Sequence, residues 1–341
     1  MKFLDDAATA AELPFPDLIE ALRAGFRRGA EVPLRHHHTI PRGTGGEPDA
    51  TLLLMPAWSG PPDAARPGGG DGGSDDGAVQ AGPDGPIGVK VVTVVPGNSA
   101  RGLPAIAGLY LLLDGTTGRP LAVMDAAALT ARRTAAASAL AADYLAAPGA
   151  RQMLMVGAGA LAPNLIAAHA AVRPIARVSI WNHRPERAAE LAARLTAEGL
   201  DAAATEDLEG AARAADLVCC ATLSRSPLIH GDWLRPGAHL DLVGAFTPQM
   251  READDSALRR ARVFVDTRTG ATKEAGEIVQ GLADGVIAEA DIQGDLFDLV
   301  RGVASGRGGA EEITLFKSVG TALEDLAAAT LVAERRGLLE R

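Results

Sequence analysis

The sequence GAGALA at residues 157–162 follows the apolar run 153–156 and precedes an alanine-rich stretch. Between a strand and a helix, Gly157 permits a tight turn, Gly159 lets the backbone approach a phosphate, and Ala162 allows close helix packing. The amides at the start of such a helix attract an anion. The motif therefore predicts a dinucleotide-binding site, and the alternative is a glycine turn without a ligand.

About twenty residues later, the second strand of such a site ends in Asn182, His183 and Arg184. A cofactor without a 2′-phosphate usually meets an acidic residue there. Asn182 is neutral, and Arg184 with Arg187 or His183 could pair with a phosphate. This pattern favours NADP(H) over NAD(H), although NADH remains possible. In the alternative interpretation, both arginines are solvated charges at the start of the next helix.

Three cations lie in apolar or turn settings nearer the N-terminus: Arg35, Lys90 and Arg133. Lys90 falls in the middle of a predicted strand, where its ammonium either faces water or meets an anion. Arg133 lies on a predicted helix, where it could simply extend to solvent. Together with a nicotinamide site, these cations make a small carboxylate substrate plausible, since arginine grips carboxylates in a fixed orientation.

The histidine run 36–38 does not predict a metal site. Alternate residues of a strand point to opposite faces, so the three side chains cannot bind one ion. We expect a half-buried strand here and no metal.

The elements that must position these residues fall into two groups. Residues 15–28 predict an amphipathic helix, and β-like runs follow at 38–40, 51–55, 88–95, 107–113 and 121–124. A long helix is expected over 126–147. Short apolar runs then recur at 153–156, 178–181, 217–221, 240–243 and 263–265, as in a parallel sheet covered on both faces. The helix predicted at 318–335 is expected to return to the first group.

We therefore expect an α/β protein with a Rossmann domain at 126–317. Residues 1–125 with 318–341 form a discontinuous α+β domain for substrate binding and dimerisation. Residues 59–86, rich in Gly, Pro and Asp, predict a flexible insertion; a surface loop is the preferred interpretation and an active-site lid the alternative.

Composition narrows the class of protein. With 341 residues, 33 basic and 43 acidic side chains give a net charge of −10, which argues against nucleic-acid or anionic-membrane partners. The two cysteines are adjacent, which excludes a disulfide framework. Without a predicted signal peptide or spanning segment, we expect a soluble cytoplasmic protein.

Several segments in order resemble the ornithine cyclodeaminase and mu-crystallin family. They include GVKVVTVVPGNSARGLPAIAGLYLLLDGTTGRPLAVMDAAALTARRTAAASALAADYLA, MLMVGAGALA, VSIWNHRPERA, LVGAFTPQMREADD, ATKEAGEI, GDLFDLVRG and TLFKSVGTALEDLAAA. The resemblance covers most of the chain outside the insertion. It implies a Rossmann domain plus a mixed domain that forms a dimer through its sheet.

The resemblance also implies site residues. It assigns the substrate α-carboxylate to Arg35, Lys90 and Arg133, which we treat as the catalytic set. The motif already assigns Gly157, Gly159, Arg184 and Arg187 to the cofactor. The resemblance adds further cofactor residues: Ala160, Leu161, Asn182, Thr222, Val243, Val319 and Gly320.

Two departures affect the expected reaction. Ornithine cyclodeaminases present an aspartate after the fourth Rossmann strand, where this chain has Phe246, and they tend to have a threonine where this chain has Ala105. Phenylalanine transfers no proton, but its ring could pack on the substrate. The segment FTPQMRE is similar to that of bacterial Δ1-pyrroline-2-carboxylate and Δ1-piperideine-2-carboxylate reductases.

We therefore expect NAD(P)H-dependent reduction of a cyclic imine carboxylate to L-proline or L-pipecolate, and we expect the protein to be a homodimer. The alternatives are an ornithine cyclodeaminase, which forms L-proline and ammonia, an alanine dehydrogenase, and a mu-crystallin-like protein that binds NADPH and a small ligand.

Overall fold

The computed structural model describes residues 1–42, 48–59 and 85–339. Contacts divide the chain into two compact units, residues 1–133 with 322–341 and residues 134–321. The insertion predicted at 59–86 falls, between 60 and 84, outside the described residues. The α/β fold class is confirmed.

The first unit contains a six-stranded mixed sheet. Its strands are β1 (Lys2–Leu4), β2 (His36–Ile40), β3 (Ala50–Trp58), β4 (Ile87–Val94), β5 (Ile106–Leu113) and β6 (Pro120–Asp125). Their order is β1-β6-β5-β4-β3-β2, and only β1 and β6 pair in parallel. The five predicted strands are confirmed. The short strand β1 was not predicted, because three residues carry no readable alternation.

The histidine strand β2 is exposed along its whole length, so the expected half-buried strand is wrong. It lies at the edge of the sheet, beyond the strands β3 to β6 on which helix α11 packs.

The helices of this unit include α1 (Asp6–Ala11) and α2 (Phe15–Arg28). The helix α2 matches the prediction and buries Phe15, Leu18, Leu22 and Phe26. The long helix α3 (Ala126–Leu145) is also confirmed, and the division between the units falls inside it.

The C-terminal helix α11 (Ala322–Arg335) packs on strands β3 to β6 of the first unit. The helix predicted from residue 318 begins four residues later. The preceding turn explains the difference: Gly320 has a φ of 83°, and the amides of Val319 and Gly320 bind a side-chain carboxylate instead of entering a helix.

The second unit contains an eight-stranded parallel sheet. Its strands are β7 (Gln152–Val156), β8 (Arg177–Trp181), β9 (Ala202–Ala204), β10 (Leu217–Cys220), β11 (His239–Leu242), β12 (Arg262–Val265), β13 (Ile292–Asp295) and β14 (Thr314–Lys317). Their order is β13-β12-β14-β11-β10-β7-β8-β9. The five predicted strands are confirmed.

α-Helices form most of the crossover connections between these parallel strands, and only a 3-10 turn at Gly231–Trp233 lies between β10 and β11. The helices are α4 (Ala162–Val172), α5 (Pro185–Ala197), α6 (Leu208–Ala214), α7 (Asp255–Arg260), α8 (Arg268–Glu274), α9 (Gly276–Ala283) and α10 (Leu296–Arg301). The chain leaves β7 towards β8 and later returns to β10 on the other side. Ligands of such sheets bind at this reversal, outside the carboxyl ends of the strands. No helix among the described residues is long and apolar enough to cross a membrane.

Candidate active site

The glycine turn after β7 has the geometry that the motif predicts. Gly157 has a φ of 108°, and a Cβ there would lie 2.7 Å from the carbonyl oxygen of Ala221. Its amide donates to the carbonyl of Trp181 at 2.8 Å. Both the backbone conformation and the lack of space therefore require glycine at this position.

Gly159 differs, because a Cβ built there meets no heavy atom within 4 Å. The protein itself does not need a glycine at this point, but a ligand that approaches the backbone would. A cavity of about 430 Å³ adjoins the turn and is lined by Gly159, Ala160, Arg187 and Arg194, among others. Ala162 is fully buried at the start of α4. The residues present therefore fit a dinucleotide pyrophosphate.

Asn182 connects this turn with the end of β8. Its Oδ1 accepts from the Ala158 amide at 3.3 Å, and its Nδ2 donates to the Arg184 carbonyl at 3.0 Å. Arg184 precedes α5 and Arg187 lies in its first turn, and both are exposed. The Nη1 of Arg187 also lies 3.6 Å from the Oε2 of Glu190. Two exposed cations thus stand beside the turn.

The turn at Val319 and Gly320 is held by Asp266, which the sequence analysis missed. The Oδ2 of Asp266 accepts from the amides of Val319 at 2.7 Å and Gly320 at 2.6 Å. Burial raises the pKa of Asp266, although these amides oppose the shift. The available signal was an acidic residue directly after the apolar run 263–265.

Two more predicted cofactor residues follow β10 and β11. Val243 is buried, and its amide donates to the Cys220 carbonyl at 2.8 Å. Thr222 donates its amide and its hydroxyl to Glu252, at 2.7 and 2.8 Å. Glu252 is a second acid that the sequence analysis did not select. Ala160 and Leu161 lie between Gly159 and α4.

In the first unit, Lys90 and Arg133 are brought together by α11. The Lys90 Nζ lies 2.6 Å from the Oδ2 of Asp325, and the Arg133 Nε donates to the Oδ1 of Asp325 at 2.9 Å. The Arg133 Nη1 donates to the Oε2 of Glu324 at 2.5 Å. Lys90 is 3% exposed and Arg133 5% exposed, so the alternative that these cations face solvent is wrong.

Burial and ion pairing compete in this cluster. Burial lowers the pKa of Lys90 from 10.5 to about 8, even though Asp325 opposes the shift. Burial also disfavours the charge of Arg133, but Asp325 and Glu324 outweigh it and raise its pKa. The pKa of Asp325 is lowered because Arg133 and Lys90 outweigh its burial. Lys90 is therefore the member of the cluster that changes charge near neutral pH.

Tyr110 completes the cluster, since it lies directly opposite Lys90 in the β4–β5 register. Its buried hydroxyl has no hydrogen-bond partner among the described residues. A Cβ at Gly88 would lie 1.8 Å from that oxygen, so Gly88 must be a glycine. Burial raises the pKa of Tyr110, and Asp325 adds to the shift.

Arg35 and Phe246 are not among these contacts. Arg35 is half-buried in the segment before β2. Phe246 follows β11 and is 44% exposed. The nearest preceding acid, Asp241, is buried, and its carboxylate binds His169 at 3.0 Å and Ser138 at 3.1 Å. That acid is already engaged and cannot replace the aspartate that Phe246 displaces.

One group of possible metal ligands occurs among the described residues, and it includes this same Asp241 with His169 and Cys219. Cys219 also donates to the Asp241 carboxylate, at 3.1 Å. Three donors therefore satisfy Asp241, and the group is a hydrogen-bonded core cluster.

Comparison with known proteins places this geometry in a family. The profile named Ornithine cyclodeaminase/mu-crystallin family matches residues 78–337. A Δ1-pyrroline-2-carboxylate reductase from Paracoccus denitrificans is 39% identical over 97% of this chain and 96% of the relative.

Two solved structures are also similar. One is the Δ1-pyrroline-2-carboxylate reductase of Thermococcus litoralis in complex with NADH and L-proline, with a TM-score of 0.85, 31% identity, and coverage of 99% of this chain and 98% of that one. The other is an archaeal alanine dehydrogenase dimer with bound NAD, with a TM-score of 0.83, 28% identity, and coverage of 99% and 97%. The expected resemblance is confirmed, and the chain belongs to the ornithine cyclodeaminase/mu-crystallin family.

Proposed function

We propose that this protein reduces a five- or six-membered cyclic imine carboxylate, Δ1-pyrroline-2-carboxylate or Δ1-piperideine-2-carboxylate, to L-proline or L-pipecolate. The observation that carries the proposal is the buried pair of cations, Lys90 and Arg133, fixed by Asp325. The chain is an oxidoreductase, in line with relatives that are named reductases of such imines.

Lys90 and Arg133 hold the substrate carboxylate in this proposal. Asp325 and Glu324 engage the Nε and Nη1 of Arg133, which leaves the Nη2 and the Lys90 ammonium as the donors that we assign to the substrate. Because both cations are fixed by acids, the substrate meets them already oriented, which is how positioning accelerates a reaction. Arg35 is the third proposed carboxylate ligand.

NAD(P)H, when bound, supplies the hydride that reaches C2 of the imine. The protein's part is to orient the ring and to exclude competing reactions. The ring nitrogen can take its proton from water before binding, so the reaction does not need an acid where Phe246 stands. We assign the exposed ring of Phe246 to packing against the apolar part of the substrate.

We further propose that the cofactor is NADPH in preference to NADH. Asn182 carries no charge that would repel a 2′-phosphate, and Arg184 and Arg187 are exposed cations beside it. The similar solved structures contain NADH or NAD, so a nicotinamide dinucleotide is common to these relatives and the preference is the part to be tested.

NADPH oxidation with Δ1-pyrroline-2-carboxylate, with NADH as the second donor, tests both proposals. Rapid oxidation supports the reductase, and the ratio of the two rates decides the cofactor preference. Ammonia release from ornithine with catalytic NAD would instead identify a cyclodeaminase. Pyruvate reduction only with ammonium would identify an alanine dehydrogenase, and tight NADPH binding without turnover would identify a binding protein.

A homodimer through the six-stranded sheet is also proposed. One face of this sheet carries Lys90 and Tyr110 and is covered by α11. The opposite face carries Val91 paired with Leu109, and Phe3 paired with Val123. Leu109 is 45% exposed and Phe3 is 69% exposed. An apolar surface of this kind is uncommon on a monomer and is typical of a protein–protein interface.

Light scattering after gel filtration tests the dimer. The wild type is expected at twice the chain mass, and Leu109→Asp at the mass of one chain. Thr116→Asp, in the exposed turn after β5, is the control and is expected to stay dimeric. A monomeric wild type would contradict the proposal.

The cytoplasm is the proposed location. Both cysteines, Cys219 and Cys220, are buried free thiols, as expected in a reducing compartment.

A further inference from the structure

Glu252 lies between two loops at the carboxyl ends of neighbouring strands. Its Oε1 accepts from the amide and hydroxyl of Thr222, which follows β10, at 2.7 and 2.8 Å. Its Oε2 accepts from the amides of Gly244 and Ala245, which follow β11, at 2.8 and 3.1 Å. Each oxygen thus serves a different loop, and one side chain links the two.

The two loops are in direct contact at this point. A Cβ on Gly244 would lie 2.0 Å from the Thr222 carbonyl oxygen and 2.6 Å from the Oε1 of Glu252. Only a glycine allows the carboxylate to sit between the loops. Glycine at 244 and glutamate at 252 are therefore parts of one arrangement.

The backbone of Glu252 is itself fixed. Its amide donates to the Oε1 of Glu277 at 2.6 Å, and its carbonyl accepts from the amides of Leu228 and Ile229 at 2.8 and 3.0 Å. Because main chain and carboxylate are both held, movement of Glu252 would move both loops.

Lys317 supplies the nearby positive charge. Its Nζ lies 3.4 Å from the Oε2 of Glu277 and 4.0 Å from the Oε2 of Glu252, and all three side chains are buried. Burial raises the pKa of Glu252, but Lys317 opposes the shift. Since both oxygens of Glu252 accept hydrogen bonds from donors, the ionised form is the one that fits.

The loops after β10 and β11 lie on one side of the reversal in strand order. In this fold the pyrophosphate binds at the glycine turn after the first strand, and the adenosine ribose meets the end of the second strand. Here those are β7 and β8, so the nicotinamide half extends towards β10 and β11.

We propose that Glu252 is a positioning residue that sets the spacing of the Thr222 and Gly244–Ala245 loops and thereby holds the nicotinamide half of the cofactor. The inference rests on the proposed function only in taking a nicotinamide dinucleotide as the ligand. Glu252 does not touch the cofactor; it acts through the two loops.

The test compares Glu252→Gln with Glu277→Gln. In Glu252→Gln, the amide nitrogen must face donors of one loop or the other, so that loop loses its acceptor. In Glu277→Gln, the Oε1 can still accept from the Glu252 amide, and the same negative charge is removed beside Lys317. Glu277→Gln therefore removes the same charge at an equally buried position, but both loops keep their hydrogen bonds to Glu252.

Fluorescence titration with NADH and with NADPH measures affinity without a substrate. We expect Glu252→Gln to raise the Kd of the preferred cofactor at least 10-fold and Glu277→Gln to change it less than threefold. At saturating cofactor, Glu252→Gln should also lower kcat while the KM for the imine carboxylate changes less than threefold. Equal Kd shifts in the two variants, or none, would overturn the inference.

Glu252→Asp serves if Glu252→Gln does not fold. It keeps the charge opposite Lys317, but its carboxylate is one methylene too short to reach both loops, so the same 10-fold loss is expected. Retained affinity would overturn the inference. A wild type that binds cofactor but reduces no imine would remove the proposed reaction alone, and a wild type that binds neither dinucleotide would remove both proposals.

Discussion

The two units bury charge in opposite ways. In the first unit, two cations, Lys90 and Arg133, face two acids, Asp325 and Glu324. In the second unit, the acids Glu252 and Glu277 lie near one cation, Lys317, and both acids and Asp266 bind mainly backbone amides.

The difference lies in the groups that the buried acids hold in place in each unit. Acids in the first unit fix side-chain cations, and we propose that these cations bind a small carboxylate. Acids in the second unit fix loops, and we propose that the backbone of these loops holds a dinucleotide. The same residue types therefore orient two different kinds of binding group.

The largest effect is expected when the acid shared by both cations is removed. Asp325→Ala leaves Lys90 and Arg133 with Glu324 alone, and breaking a buried pair from one side costs about 3–5 kcal/mol. Urea unfolding should show that loss in the free energy of unfolding. Glu20→Ala, which removes an exposed partner of Arg23, is the control and should barely shift the midpoint. Equal shifts would mean that the cluster does not hold the first unit together.

Removing one cation tests the assignment of the cations to the substrate. Lys90→Ala should lower kcat/KM for the imine about 100-fold, since a charge-assisted hydrogen bond contributes about 1.5–3 kcal/mol. The Kd of the cofactor should not change, because its loops belong to the second unit. Lys273→Ala, at an exposed lysine of α8, is the control. Near-native kinetics in Lys90→Ala would remove Lys90 from the substrate site.

The pH dependence of kcat/KM tests the same assignment of Lys90. Since the pKa of Lys90 is lowered to about 8, its ammonium is present below pH 8 and is lost as the pH rises through that value. The kcat/KM for the imine should therefore fall up to 10-fold per pH unit above 8, in initial rates at saturating cofactor. In Lys90→Arg the part of the fall that comes from Lys90 should disappear, because arginine stays charged, and only the fall caused by deprotonation of the imine nitrogen should remain. An unchanged profile in that variant would assign the titration to another group.

The smallest effect is expected at the cofactor's 2′-phosphate. Arg184→Ala should raise the KM for NADPH about 5-fold more than the KM for NADH, because an exposed charge is partly screened by solvent. Steady-state kinetics with both donors measure the ratio. Arg213→Ala, at an exposed arginine paired with Glu209, should leave the ratio unchanged. Equal effects on both donors would exclude the 2′-phosphate as the partner of Arg184.

The sequence allowed the local features to be predicted. The glycine turn at 157–159 and the apolar strands on either side carry their signal within about thirty residues, because periodicity and turn chemistry are local properties. The helix start at Ala322 was missed because Asp266, a residue far away in the chain, binds the preceding turn.

The acids that organise both sites could not be predicted in the same way. Asp325 lies 192 residues from Arg133, and no local pattern reports such a pairing. Glu324 and Asp325 also stand in the first turn of α11, where acids are common because they favour the helix dipole. Their position therefore gave no sign that they pair with Lys90 and Arg133.

The placement of α11 has a consequence for synthesis of the chain. The strands that carry Lys90 are made early, but the acids that neutralise its cluster come only after the second unit of 188 residues. At about 5–20 residues per second, that delay is roughly 10–40 s. A nascent chain therefore carries Lys90 on β4 and Arg133 on α3 without their acidic partners until α11 has been made, and the first unit cannot close before then.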